Sequence, residues 1–297
     1  MFAIVGATGN VGYATSLALR QAGVPVRAIL RDAAKAARLR EIGCEIALAD
    51  LLDTGSLVQA FGGTDAVQVI IPPSPRAQDP VEDLQHSIDS VLAALLQSRP
   101  KRILAISDYG AHIAHDIGMP SIFHGLEAGL RQLRGHKLVL RSAEHMHNWA
   151  RTFPTALSSG TMPSFQDPID VAQPTISAQD LGLIAARLLV RADSGNDFEV
   201  IHAEGPRRYS ASDVATALTQ LSGRPVHAQA VPRSEWKQAF ERLMPASLAD
   251  LLIKANDAKN KGGLVDVEPN SGEVIYGTTE LLDALRPFVP SSPKDHA

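Results

Sequence analysis

The sequence predicts an α/β protein, a doubly wound parallel sheet carrying a smaller C-terminal α/β lobe. Three observations carry this expectation. Short β-branched runs alternate with amphipathic helical segments through the first half of the chain. A glycine triplet sits at the first strand-to-helix junction. The alternation then stops after Asn148, and four prolines fall within residues 151–180. The chain has 297 residues, 45% hydrophobic and 20% charged, too apolar for a disordered chain and long enough for one large domain or two smaller ones.

The elements follow in order. Phe2–Val5 is a short apolar strand ending in glycine, and Val11–Gln21 a helix stopped by Gly23. Val26–Leu30 reads as a strand, Ala33–Glu41 as a helix and Cys44–Ala49 as a third strand. Ser56–Phe61 is a short helix stopped by Gly62-Gly63, and the strand Ala66–Ile71 is broken by Pro72-Pro73. Val81–Leu96 is a long amphipathic helix; strand Arg102–Ile106, helix Ile122–Leu133 and strand Lys137–Leu140 complete the rhythm. Beyond residue 150, Asp180–Val190 is helical, with Asp180 as its expected cap, and Phe198–Ile201 is a strand. Short helices at Ser212–Leu221, Ser234–Leu243 and Ala246–Ala255 precede a turn-rich tail, whose last residues, Pro290–Ala297, are expected to fray.

Charge and cysteine content exclude several classes. The first 150 residues carry 14 basic and 14 acidic side chains, and the −4 surplus lies in the remainder. Neither half has the basic excess that favours duplex phosphates, so direct nucleic-acid binding is not expected. Cys44 is the single cysteine, which excludes an internal disulfide and a Cys-rich zinc site. No apolar run is long enough for a membrane helix, and the N-terminus lacks a secretory signal, so the expected location is the cytoplasm.

The chemistry begins at Gly6-Ala7-Thr8-Gly9-Asn10-Val11-Gly12. In this spacing Gly6 allows a tight turn, Gly9 lets the backbone approach a pyrophosphate, and Gly12 packs helix closely against strand. The helix start adds free N–H groups and a positive dipole, with Thr8, Asn10 and Val11 completing the cradle. Tyr13 stands where a P-loop requires lysine, which excludes that motif. About 20 positions beyond the glycines, where an acidic residue would read the ribose of NAD, stands Arg31. Its guanidinium can clamp a 2′-phosphate, with Lys35 as helper, so NADP is preferred over NAD; the alternative is a surface Arg31 paired with Asp32.

GATGNVG, ILRD, ALADLLD, VLRSAEHMHNW, PTISAQDLGLIAARLL and GPRRYSASDVATALTQLSGRPV together cover most of the chain. In these segments the sequence resembles the NmrA-like proteins, atypical members of the short-chain dehydrogenase/reductase superfamily. The resemblance implies a Rossmann fold, with Asp50 and Leu51 beside the adenine and Ile71 and Pro72 lining the cofactor. The change of rhythm after Asn148 divides the chain into a dinucleotide-binding domain over 1–153, to which 176–203 returns, and a substrate or lid lobe of 154–175 and 204–297. Ser107 falls where the superfamily has its catalytic serine, and Asn148 matches an asparagine after the sixth strand.

The chain departs from the superfamily at the catalytic acid. None of its four tyrosines is followed by lysine four positions later. The lysine that several NmrA-like members carry on the helix after strand five is replaced here by Ala128, next to Glu127. Without that pair, hydride transfer suits acceptors that are already electrophilic, such as quinones, other conjugated carbonyls or azo compounds. Tyr109 and His124 join Ser107 as candidate catalytic groups. Phe123, His145, Met146, Asn148 and Trp149 are candidates for a substrate pocket, with Phe153 beside them; the aromatic set serves equally as packing between lobes. His112-x-x-His115 and His145-x-His147 have no accompanying cysteine or acidic ligand pattern, and no metal is expected. The acidic residues of 266–283 read as a solvated face. The expected partner is a small aromatic or conjugated acceptor, and a homodimer stays open. A non-catalytic NADP(H) sensor acting through a protein partner is the alternative function.

Overall fold

A computed structural model describes residues 1–74 and 77–290. The first half holds β1 (Phe2–Val5), α1 (Asn10–Gln21), β2 (Val26–Leu30), α2 (Ala37–Glu41), β3 (Glu45–Leu48), α3 (Thr54–Phe61) and β4 (Ala66–Val69). It continues with α4 (Pro80–Ser98), β5 (Arg102–Asp108), α5 (Met119–Arg131), β6 (His136–Ser142) and β7 (Glu144–His145). Then follow α6 (Phe153–Ser159), β8 (Thr161–Ser164), β9 (Thr175–Ile176), α7 (Ala178–Val190), β10 (Phe198–Glu204) and α8 (Ala211–Ser222). The last elements are β11 (His227–Ala230), α9 (Trp236–Glu241), α10 (Ala246–Lys261), β12 (Glu273–Tyr276) and α11 (Leu281–Leu285).

Eight strands form one sheet in the order β12-β10-β6-β5-β4-β1-β2-β3, every pairing parallel. Strand order reverses between β1 and β4, so the crevice outside their carboxyl ends is where such a sheet binds ligands. One face is covered by α1 and α7 over Ile4, Leu104 and Leu138, the other by α3, α4 and α5 over Val67, Ile88 and Leu126. The two helices α1 and α7 meet closely because Gly182 has no side chain: a Cβ there would lie 2.5 Å from that of Ala14 and 2.7 Å from the Val11 carbonyl. A separate core of Met146, Phe153, Met162, Val214 and Leu218 builds the lobe around α6, α8 and α11, with β8 and β11 paired beside it.

The structure corrects several sequence expectations. Residues 33–41 are not one helix: Asp32 accepts from the Ala34 amide at 2.9 Å, starting a 3-10 turn over Ala33–Lys35, and α2 begins only at Ala37. Ser177, not Asp180, caps α7, accepting from the Asp180 amide at 3.0 Å. The buried Asp180 carboxylate accepts from the amides of Thr278 and Thr279 at 3.0 and 2.8 Å, fastening the tail to the sheet's helix. That tail does not stay in the lobe, because β12 pairs with β10 inside the main sheet. Its carboxylates are a solvated face only in part: Glu273, Glu280 and Asp283 are exposed, whereas half-buried Asp266 pairs with Arg208 and half-buried Glu268 with Arg141. Of the expected frayed end, residues 291–297 lie outside the described residues. No helix of the described residues is long and apolar enough to cross a membrane.

Candidate active site

The glycine loop joins β1 to α1 at the reversal point. Gly6 adopts φ +67°, and a Cβ there would lie 2.6 Å from Ile70 Cγ2, so only glycine lets the loop pass β4. The Gly9 amide donates to the Gly6 carbonyl at 3.0 Å, closing the turn. A Cβ on Gly12 would fall 2.8 Å from the Gly6 carbonyl carbon and 2.9 Å from Ala7 Cα. The start of α1 has no side-chain cap and no acidic residue in its first turn, leaving its first N–H groups and dipole free for an anion. Thr8, Gly9 and Asn10 are exposed there. The cradle fits a dinucleotide diphosphate.

Arg31 leaves the end of β2 exposed, and Lys35 lies on the following 3-10 turn. Neither makes an ion pair among the described residues, and the Asp32 carboxylate is occupied by the backbone of that turn. Arg38, which the sequence reading missed, stacks its guanidinium 4.2 Å over the Tyr13 ring, adding a third cation beside α1. Asp50 accepts from the Leu52 amide at 3.1 Å after β3, and half-buried Leu51 packs towards α3. Ile71 is 1% exposed and its side chain is core, so only its backbone and exposed Pro72 remain at the cofactor edge.

At the other side of the crevice, the expected catalytic groups separate. Ser107 is buried at the end of β5 and donates to Glu127 Oε1 at 2.6 Å. Glu127 is itself held by Arg141 through bonds of 2.9 and 2.8 Å, and Arg141 also pairs with Glu268. The serine hydroxyl is thus tied into a buried ionic network, in which carboxylate and guanidinium satisfy each other. Ala128, beside Glu127, is exposed. Tyr109 is 1% exposed and donates to Glu204 at 3.2 Å; burial, then the Glu204 charge, push its hydroxyl well above the ordinary phenol range. This corrects its expected role: it is a strut between β5 and β10. His124, on the exposed side of α5, lies 2.7 Å through Nδ1 from the Ala111 carbonyl, which assigns the proton to Nδ1 and leaves Nε2 available.

The expected apolar pocket also divides. Phe123 packs with the α3–α4–α5 core, whereas Met146 and Phe153 are buried in the lobe core, with Trp149 against them. Burial lowers His145 to about 4, and the neighbouring His147 ring lies 5.4 Å away. Asn148 Oδ1 accepts from Arg151 at 3.4 Å. A groove of about 600 Å³ opens instead between the starts of α4 and α10 and Ile122 of α5, lined by Asp79, Glu82, His86, Asp250 and Lys254. None of the sequence-predicted pocket residues lines it.

Three relatives bear on this site. The chain is 28% identical over 254 residues, 85% of each chain, to an NAD(P)H azoreductase of Xenophilus azovorans. It is 26% identical over 290 residues to quinone oxidoreductase 2 of Escherichia coli, covering 96% of this chain and 97% of the relative. It superposes with a TM-score of 0.78 on an Escherichia coli NADPH-dependent quinone oxidoreductase solved with NADPH, at 24% identity over 97% and 99% of the two chains. The NAD(P)H-binding family model matches residues 6–189, from the first glycine of the loop to the end of α7. The chain belongs to this NAD(P)H-binding family, and its glycine loop, Rossmann sheet order and resemblance to the atypical short-chain dehydrogenases agree with that membership.

Proposed function

We propose that the protein is an NADPH-dependent reductase that passes hydride to a quinone-like, conjugated carbonyl or azo acceptor. The observation that carries this reading is the pairing of an open diphosphate cradle with a phenol that is not free: Tyr109 is buried on Glu204. The bound dinucleotide supplies hydride. Gly6, Thr8, Gly9, Asn10, Val11 and Gly12 hold its diphosphate through backbone N–H groups, and Arg31 with Lys35 takes the 2′-phosphate, which favours NADPH over NADH. Asp50, Leu51 and Pro72 line the adenosine and the edge of β4. The Ser107–Glu127–Arg141 network fixes the floor beneath the reacting end, its hydroxyl, carboxylate and guanidinium committed to one another. A conjugated acceptor spreads the arriving charge over its own framework and so takes hydride more readily than a simple ketone. The named activities of the azoreductase and quinone oxidoreductase relatives support the same acceptor class.

The experiment is a panel of quinones, azo compounds and simple ketones mixed with enzyme and NADPH, followed by loss of NADPH absorbance. Turnover of quinone or azo compound well above a Gly12→Asp control is expected, with ketones at the control level. Tight NADP+ binding with no acceptor reduced overturns the reading and favours the sensor alternative, which the engaged Ser107 and buried Tyr109 also suit.

A further inference from the structure

Resting on that reading, we propose that Asp108 is the acid that delivers the proton accompanying hydride transfer, with the Lys259 ammonium, fixed by Glu144, facing its conjugate base. Asp108 is the last residue of β5, whose partner β4 lies beside the glycine-loop strand β1, on the side away from Arg31. It is therefore placed at the carboxyl edge towards which the non-adenosine half of a dinucleotide runs. The long helix α10 crosses this end: Gly118 has no side chain where Lys254 Cβ would lie 2.9 Å from an added Cβ. That packing carries Lys259 to Glu144, Nζ to Oε2, at 2.6 Å. A crevice of about 20 Å³, the size of one water, lies among Asp108, Glu144, Gln173 and Lys259.

Among the described residues, two charged groups act on Asp108, Lys259 and Glu144. Burial is the largest influence and raises it to about 7; Lys259 from α10 opposes this and Glu144 from β7 adds to it. Glu144 is held below its ordinary range by Lys259, despite its burial, with His145 and Arg151 contributing. Tyr109, the next residue, has its hydroxyl committed to Glu204. A carboxylic acid poised near neutrality beside a fixed ammonium is suited to general-acid work. His124, by contrast, stands on the exposed side of α5 with one ring nitrogen on a backbone carbonyl.

The balance is simple. A quinone that receives hydride from the reduced dinucleotide becomes a phenolate; the Asp108 O–H bond breaks and its proton completes the hydroquinone. Asp108 remains as a carboxylate beside the Lys259 ammonium and regains a proton from water.

The test compares Asp108→Asn with wild type on two acceptors in the presence of NADPH. One is a para-quinone, which needs a proton. The other is a cationic triarylmethane, which becomes neutral on taking hydride at its central carbon and needs none. Asp108→Asn is expected to lower quinone kcat by at least about 100-fold and to remove its fall above pH 7. Triarylmethane kcat is expected to stay within about 2-fold, since no proton is required there. Equal losses on both acceptors, or no loss on quinone, overturn the proposal. If wild type reduces neither acceptor although NADPH binds, the reductase reading falls, and this assignment with it. A readout without turnover separates the two: Asp108→Asn should gain thermal stability over wild type as pH rises from about 4 to about 7, and no further above it. A pH-independent difference shows that Asp108 does not hold a proton near neutrality.

Discussion

Replacing Gly12 by alanine tests the cradle most directly. Gly12 is the third residue of α1, and its added Cβ would lie 2.8 Å from the Gly6 carbonyl carbon and 2.9 Å from Ala7 Cα. Both obstacles are backbone, so no side chain can rotate away. Restoring ordinary contact requires the loop to retreat from α1 by about 0.5 Å or more. Overpacking of this kind costs about 1–3 kcal/mol, and the better helix propensity of alanine returns up to about 1 kcal/mol of it. The protein should therefore stay folded. Binding suffers more, because each N–H bond to a charged group is worth about 1.5–3 kcal/mol and the retreat displaces the donors together. Losing one such bond predicts NADPH binding weakened by roughly 10- to 100-fold. Titration of NADPH fluorescence, with thermal unfolding as the check on folding, measures both effects. Gly125→Ala on α5 is the control: nothing lies within 4 Å of its added Cβ, so it should leave binding unchanged and raise stability slightly. A folded Gly12→Ala protein with the wild-type NADPH affinity would refute the assignment of this loop to the diphosphate.

Arg31→Ala should weaken NADPH by about 10- to 100-fold, at about 1.5–3 kcal/mol for a charge-assisted contact, and leave NADH unchanged; equal losses in paired titrations remove its 2′-phosphate role. Glu127→Ala should destabilise by about 3–5 kcal/mol in urea unfolding, since Arg141, 2% exposed, loses its main partner while Ser107 loses its acceptor. Asp180→Ala should cost about 1–3 kcal/mol by stranding the Thr278 and Thr279 amides, and hydrogen exchange should rise first in the tail. Acid should destabilise the fold through His202, which burial and then Arg141 lower to about 4. Because the unfolded imidazole binds protons near 6.5, this contribution is complete above that pH and is lost as pH falls towards 4. It amounts to at most about 3 kcal/mol, and His202→Gln should flatten the slope of stability against pH across that window.

What was legible in the sequence was whatever a short window encodes. The glycine spacing, the arginine after the second strand and the alternation of strands and helices each fall within about 30 residues, and the order of the first six strands follows from them. The active-site surroundings were not legible because their partners are remote in sequence. Glu268 meets Arg141 across 127 positions, Lys259 meets Glu144 across 115, and Glu204 takes the Tyr109 hydroxyl across 95. Periodicity places no residue opposite another at such separations. The same limit explains the misreading of charge. Segment by segment, the −4 of the second half reads as a solvated acidic surface. In the fold two of its carboxylates are instead drawn inward, Glu268 on Arg141 and Asp266 on Arg208, while Glu273 stays exposed beside Arg191. The acidic tail therefore neutralises guanidinium groups at the end of the sheet that also carries Ser107, Asp108 and Tyr109. Shortening it before Asp266 removes a sheet strand together with the carboxylates facing Arg141 and Arg208, so the C-terminal segment is part of the architecture of the main sheet.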